Sequence, residues 1–299
     1  MTEATGKEAS TLHRLLGIGK LDDEGIYAKP KDYEGSPIDA DLIVVDELSM
    51  VDMFLMEHLL KCVFQGTKLI LVGDVDQLSS VGPGSVLKDL IASEVIETVK
   101  LDKIFRQAAK SKIVLNAHRV NQGEPFLDKK DIENETNEDF FFIKCESQEK
   151  MLKEVMTLCT GRLKKFGDYD FFQNIQILTP TKKGLLGTKE LNKSLQQILN
   201  PNLDNLPEKS NLGAIYRAGD RIMQVKNNYD IYWEKENEKG KEIGSGVFNG
   251  EIGTITEVNE REKVVEIKFD DEKVAWYEFS ELEEIEHSYA ITIHKAQRK

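Results

Sequence analysis

Asp46 and Glu47 are adjacent acids that close an apolar run, DLIVVDE at residues 41–47. Carboxylates at the tip of a buried strand are costly to desolvate unless they face a cation or water. The pattern suits phosphoryl transfer with a divalent metal. One acid holds Mg²⁺, usually through water, and the other orients or deprotonates the attacking water. The plainer reading is a pair of solvated acids capping the next helix. Gly73, Asp74 and Gln77 form a second set, in GDVDQLSSVGPG after the apolar run KLILVGD. A glutamine at such a tip can hydrogen-bond both a terminal phosphate and the attacking water. The plainer reading there is a polar turn.

These residues need elements to hold them. The runs at 41–47 and 68–74 predict strands buried on both faces, as in a parallel sheet. Between them VDMFLMEHLLKCVF, 51–64, predicts a helix. Together they make a right-handed βαβ unit, whose ligands bind beyond the carboxyl ends of the strands, where both acid-bearing tips lie. Helical stretches follow at Gly84–Ala92 and within Leu101–Val120. The polar run DKKDIENETNED, 128–139, predicts a loop or domain boundary. A second α/β region then opens, with strands at Phe140–Lys144 and Asn174–Leu178 and helices at Glu149–Lys165 and Lys189–Leu199. After Gly219 the texture changes to short β segments at Arg221–Val225, Gly253–Val258, Val264–Phe269 and Val274–Tyr277. Such spacing predicts a small barrel. Asn249-Gly250 reads as a tight turn entering it. Trp233–Lys241 reads as a mobile hairpin or loop. Tyr229, Tyr232, Trp233 and Trp276 can stack on bases, with core packing the expected fate of Trp276.

The chain has 299 residues, 40% of them hydrophobic, enough for two or three cores. No apolar run approaches the ~20 residues of a membrane span, and the N-terminus lacks the order of a secretory signal. Cys62, Cys145 and Cys159 show no CxxC spacing, so reduced, mostly buried thiols in a cytoplasmic protein are expected. The net charge of −13 argues against a simple electrostatic nucleic-acid binder. A motor that grips single strands by stacking and positioned contacts remains compatible with it.

VVDELSMVD followed by LILVGDVDQLSSVGPG resembles motifs II and III of the RecD-like branch of superfamily 1 DNA helicases. IFRQ resembles motif IV, and ILTPTKKGLLGTKELN the start of the second motor domain. ASTLHRLLG, GDRIMQVKNNYD, VFNGEIGTI and YAITIHKAQ match in order. The resemblance spans nearly the whole chain. It implies an α/β fold of two RecA-like parallel-sheet motor domains, the first incomplete, with an inserted SH3-like β-barrel. The implied segments are 1–105 (partial first motor), 106–138 (helical connection), 139–225 (second motor), 226–286 (barrel) and 287–299 (return to the second motor).

The resemblance also assigns roles. Asp46 holds Mg²⁺; Gly73, Asp74 and Lys295 join it in binding ATP. Glu47, Gln77 and Arg106 are catalytic, Arg106 as an arginine finger. Thr11, His13, Arg14, Thr179, Thr292 and His294 contact DNA, and Gln297 belongs to the last of these motifs. For Thr11 a helix cap is an equal reading. The implied activity is an ATP-driven motor moving 5′ to 3′ on single-stranded DNA, with exonuclease V-type subunits as candidate partners and no membrane. Closing and opening of a cleft between the motor lobes would ratchet them along the strand.

The phosphate loop GxxxxGK[ST] is missing from the sequence. Gly6-Lys7 is the nearest candidate, but Glu8 follows and Met1 occupies the first glycine position. The ending HKAQRK departs from the family's HKxQG. A fragment that hydrolyses ATP poorly alone is therefore expected. The alternatives are a non-catalytic DNA- or partner-binding fragment that keeps the motor fold, and the helicase part of a conjugative relaxase.

Overall fold

The structure is a computed structural model that describes residues 5–7, 9–18, 37–101, 111–127, 139–167, 169–237 and 240–297. The chain forms two units, Met1–Phe142 and Ile143–Lys299.

In the first unit, the short helix α1 (Leu12–Leu15) starts at Thr11, whose Oγ1 accepts the Arg14 N–H at 3.3 Å. Strand β1 (Leu42–Val45) is followed by α2 (Met53–Cys62) and by β2 (Lys68–Leu71), which pairs in parallel with β1. Helix α2 begins where Asp52 caps the Leu55 N–H at 2.8 Å. Its buried residues, Leu55, Met56, Leu59 and Cys62, follow the helical period and meet Ile43, Val45 and Leu48 in one core. Helices α3 (Val86–Ala92) and α4 (Lys112–Asn121) complete the described elements. The expectation of strands buried on both faces is corrected here. Ile43 and Val45 are buried, whereas Leu42, Val44 and Ile70 are exposed on the opposite face. Among the described residues the covering helix and its core lie on one side.

The second unit opens with α5 (Gln148–Thr157), a wider helical turn at Leu158–Arg162, α6 (Leu163–Gly167) and α7 (Phe171–Asn174). The single helix expected over 149–165 is thus interrupted at Gly161, whose backbone leaves helical geometry. Phe140–Lys144 forms no strand, and the strand expected over 174–178 is β3 (Ile177–Thr179), displaced by the α7 turn that Asp170 caps. Helix α8 (Thr188–Leu199) leads to the hairpin β4 (Glu208–Asn211) and β5 (Ala214–Arg217).

A seven-stranded antiparallel sheet follows. It comprises β6 (Arg221–Gln224), β7 (Asn228–Asn237), β8 (Gly240–Val247), β9 (Ile252–Asn259), β10 (Val264–Phe269), β11 (Val274–Glu278) and β12 (Ile285–His287). Their order is β12-β6-β9-β10-β11-β7-β8. Inward residues from all seven, among them Ile222, Ile231, Val247, Ile255, Val265, Ile267, Tyr277 and Ile285, alternate into one core. The stretch at Trp233–Lys241 is a hairpin built from β7 and β8. A side chain at Gly244 would lie 2.3 Å from the Trp233 ring, so glycine is required where that indole crosses the partner strand. Trp276 does not pack in the core, as expected of it. It is 40% exposed and donates its Nε1–H to Glu266, while Trp233 packs against the barrel interior. The chain then leaves the barrel as β13 (Ala290–Thr292), which pairs in parallel with β3, and ends its described part in α9 (Ile293–Ala296).

The three cysteines form no disulfide; Cys62 is buried and the other two are half-buried. Burial pushes the Cys159 thiol up to about 11, which keeps it protonated and unreactive. No described helix is long and apolar enough to cross a membrane.

Candidate functional site

Both acid-bearing tips project from the carboxyl edge of the β1–β2 pair. After β1 the backbone turns sharply at Glu47, which adopts left-handed geometry (φ 55°, ψ 42°). A non-glycine residue there is uncommon and mildly strained. The strain is held by neighbours. Asp46 Oδ1 accepts the Glu47 N–H at 2.9 Å, the Leu48 N–H donates to the Val72 carbonyl at 2.9 Å, and the Val72 N–H donates to Val45 at 2.8 Å. Gly73 makes the approach possible. A Cβ at that position would sit 3.1 Å from the backbone nitrogens of Leu48 and Ser49 and 2.9 Å from Leu87. The two tips are therefore packed backbone to backbone, with Asp46-Glu47 beside Gly73-Asp74.

Beyond Gly73 the chain turns tightly. Asp74 Oδ1 accepts the Asp76 N–H at 2.9 Å, and the Gln77 N–H reaches the Asp74 carbonyl at 3.3 Å. Gln77 is exposed on the same edge. The rest of this loop is stitched to the start of α2. Met53 N–H donates to Pro83, and a Cβ at Gly82 would overlap the Asp52 carboxylate, 1.9 Å from Oδ2. Asp46, Glu47 and Asp74 are all exposed, and none forms an ion pair among the described residues. No set of three or more protein ligands is preassembled for a metal among the described residues. That suits Mg²⁺, which keeps several waters and takes one or two carboxylates plus phosphate oxygens. Ser49 Oγ is buried beneath this turn without a described partner.

Arg106 lies outside the described residues. Thr11 is the α1 cap; Leu12 and Leu16 pack on the core and leave His13 and Arg14 exposed.

In the second unit the parallel register sets Thr292 directly beside Thr179 at the carboxyl ends of β13 and β3. Thr179 is buried, and its hydroxyl donates to the Leu186 carbonyl at 2.7 Å, which shapes the loop before α8. Thr292 caps α9, accepting the Lys295 N–H at 3.4 Å. Lys295 Nζ reaches Asn249 Oδ1 at 3.4 Å, and His294 is exposed. Lys182, Thr188, Asn192, Thr292 and Lys295 line one small cleft. Lys182, in the TPTKKG segment, is a cation that the sequence reading passed over.

The sequence reading also missed a stripe of amides. Asn192 and Gln196 share one face of α8, and Asn200, the residue that caps its C-terminus, continues the spacing. Asn192 reaches His287 and Ala290, Gln196 reaches Ile215 and Asp220, and Asn200 reaches Ala218 and Asp220. Asp220 is fully buried and accepts five hydrogen bonds. They come from Gln196, the Arg217 N–H, His287, Asn200 and the Tyr289 hydroxyl, at 2.7–3.2 Å. Burial alone would raise its pKa. The hydrogen bond and charge of His287, with those of Asn200 and Arg217, outweigh burial and hold the carboxyl below its ordinary 3.8. Polar residues at a fourfold period before an apolar segment were the signal for this stripe.

Residues 1–139 match the AAA domain family, and residues 191–269 match the SH3 domain of ATP-dependent RecD-like DNA helicases. The chain thus carries an AAA-type α/β region followed in sequence by an SH3-like domain. The chain is similar to RecD-like DNA helicases over nearly its whole length. It is 32% identical over 297 residues to the ATP-dependent RecD2 DNA helicase of Deinococcus radiodurans, covering 99% of this chain and 35% of that protein. It is 25% identical to RecBCD enzyme subunit RecD of Buchnera aphidicola, covering 97% and 52%. The chain therefore spans a third to a half of the length of these relatives. A solved Pif1 helicase from Bacteroides, in complex with ADP-AlF3 and single-stranded DNA, aligns over 96% of this chain and 70% of its own at 16% identity and a TM-score of 0.47.

Proposed function

We propose that this chain is part of an ATP-dependent DNA helicase motor, with the first unit carrying nucleotide chemistry and the second gripping single-stranded DNA. The observation that carries this reading is the packing of the Asp46-Glu47 turn against Gly73, on the edge that also bears Asp74 and Gln77. Bound Mg²⁺ would neutralise phosphate charge as the terminal phosphoryl group leaves. Asp46 holds the metal, with Gly73 and Asp74 flanking the phosphates. Glu47 orients and deprotonates the attacking water, and Gln77 hydrogen-bonds that water and the terminal phosphate. Arg106 serves as the arginine finger and Lys295 contributes to nucleotide response. Thr292 and His294 of the second unit, with Thr11, His13 and Arg14 of the first, face the DNA backbone, and the buried Thr179 acts through the loop before α8 that its hydroxyl holds. Travel runs 5′ to 3′. The five segments read from the sequence are the functional parts of the motor, and the whole acts in the cytoplasm.

The relatives' names support the first of two further statements. The RecD subunit names point to DNA repair or recombination with exonuclease V-type partners. With no GxxxxGK[ST] in the sequence, this stretch alone hydrolyses ATP weakly. Phosphate release by the intact protein, with and without oligo(dT), tests the reading. Glu47→Gln is expected to lower DNA-stimulated turnover by about 100-fold or more while nucleotide still binds. Wild-type turnover in that variant would refute the assignment.

A further inference from the structure

Asn192 lies on α8, and its side chain is almost entirely enclosed. We propose that Asn192 is a positioning residue that acts through the backbone of Ala290 to set the grip of the Thr292–Lys295 turn on single-stranded DNA. The proposal rests on the DNA-binding reading of that turn.

The amide of Asn192 treats Ala290 as a neighbouring strand would. Its Oδ1 accepts the Ala290 N–H at 2.7 Å, and its Nδ2 donates to the Ala290 carbonyl at 3.1 Å. The second Nδ2 hydrogen goes to the His287 carbonyl at 2.7 Å. Every donor of the amide is thus used, and three backbone groups of the β12–β13 crossing depend on one side chain. Ala290 shows its N–H and carbonyl to Asn192, while strand alternation turns the flanking residues toward β3. Asn192 therefore closes the edge of a strand that pairs with β3 alone among the described residues. Two residues on, Thr292 sits in register with Thr179 and caps α9 through Lys295. The same cleft holds Asn192, Thr292, Lys182 and Lys295. A change at Asn192 leaves buried backbone groups unpaired and frees β13 to shift against β3. That shift alters the spacing of Thr292 and Lys295 without touching either.

The test is fluorescence anisotropy of a labelled oligo(dT) on the intact protein, with melting temperature and Mg-ADP affinity measured alongside. Asn192→Ala is expected to weaken oligo(dT) binding about tenfold. Because the same turn carries Lys295, Mg-ADP affinity should change in the same direction but less than oligo(dT) affinity. Asn192→Asp, which keeps the acceptor for the Ala290 N–H but sets a carboxylate oxygen against the His287 and Ala290 carbonyls, is the second variant, and a loss at least as large is expected. The deciding comparison adds Asn192→Ala to a Thr292→Val/Lys295→Ala background. If Asn192 acts through that turn, the further loss stays under about twofold. Wild-type DNA affinity in folded Asn192 variants, or losses that multiply in full, would overturn the proposal. A wild-type protein that binds no oligo(dT) would instead overturn the DNA-binding reading beneath it.

Discussion

The first unit holds its acids in the open; the second holds one in complete burial. Asp46, Glu47 and Asp74 stand on a strand edge, exposed and without ion pairs among the described residues. Asp46 and Asp74 accept local backbone N–H bonds from the turn that follows each. Asp220 has no exposure and five donors drawn from α8, the β5–β6 turn, β12 and the start of β13. Carboxylates with saturated partners organise structure, because nothing is left for a ligand to take. Carboxylates with lone pairs to spare, on a backbone turn held in an uncommon conformation, are available for chemistry.

That contrast can be broken at either end. The largest effect is expected at Asp220. Asp220→Ala leaves five donors facing a cavity and should destabilise the second unit by about 3–5 kcal/mol, read by thermal or urea unfolding. Asp220→Asn should also be costly, because it turns an amine toward existing donors. Acid acts on the same group. Its folded pKa lies below 3.8, so the folded state binds fewer protons than the unfolded chain between those two values. Its contribution is complete above that ordinary value and disappears as pH falls through the folded one. Wild-type stability should therefore drop below about pH 4 more steeply than that of Asp220→Asn.

The smaller effect is expected at Glu47, with opposite sign. Glycine accepts φ 55° without penalty, so Glu47→Gly should stabilise the first unit by about 1 kcal/mol while removing DNA-stimulated ATP hydrolysis. A gain of stability with a loss of turnover would mark a conformation kept for function. A destabilised variant would show that Glu47 serves the fold.

The open acids were the legible ones. Apolar runs ending in charged residues stand out because burial and charge conflict there, and β1 and β2 end within a residue or two of the expected tips. What failed had nonlocal causes. Phe140–Lys144 is apolar enough for a strand but pairs with no strand among the described residues. The hairpin at Trp233–Lys241 was within the reading, and its charge fits β8 as a sheet edge, where exposed charges protect unpaired backbone. Trp276 looks like core until the register turns it outward beside Glu266. Asp220 and the Asn192-Gln196-Asn200 stripe passed as ordinary polar residues, since only the fold brings their partners together from β5, β6 and β12. The period of four on α8 was visible, but its targets were not.

The central claim is that the two strand tips form one hydrolytic site rather than two polar turns that happen to touch. A double-mutant cycle on ATP hydrolysis, combining Glu47→Gln with Gln77→Ala in the intact protein, tests it most directly. Residues that position the same water lose rate together. The double variant should then be at least about tenfold faster than the product of the two single losses predicts. Losses that multiply in full would contradict a shared site.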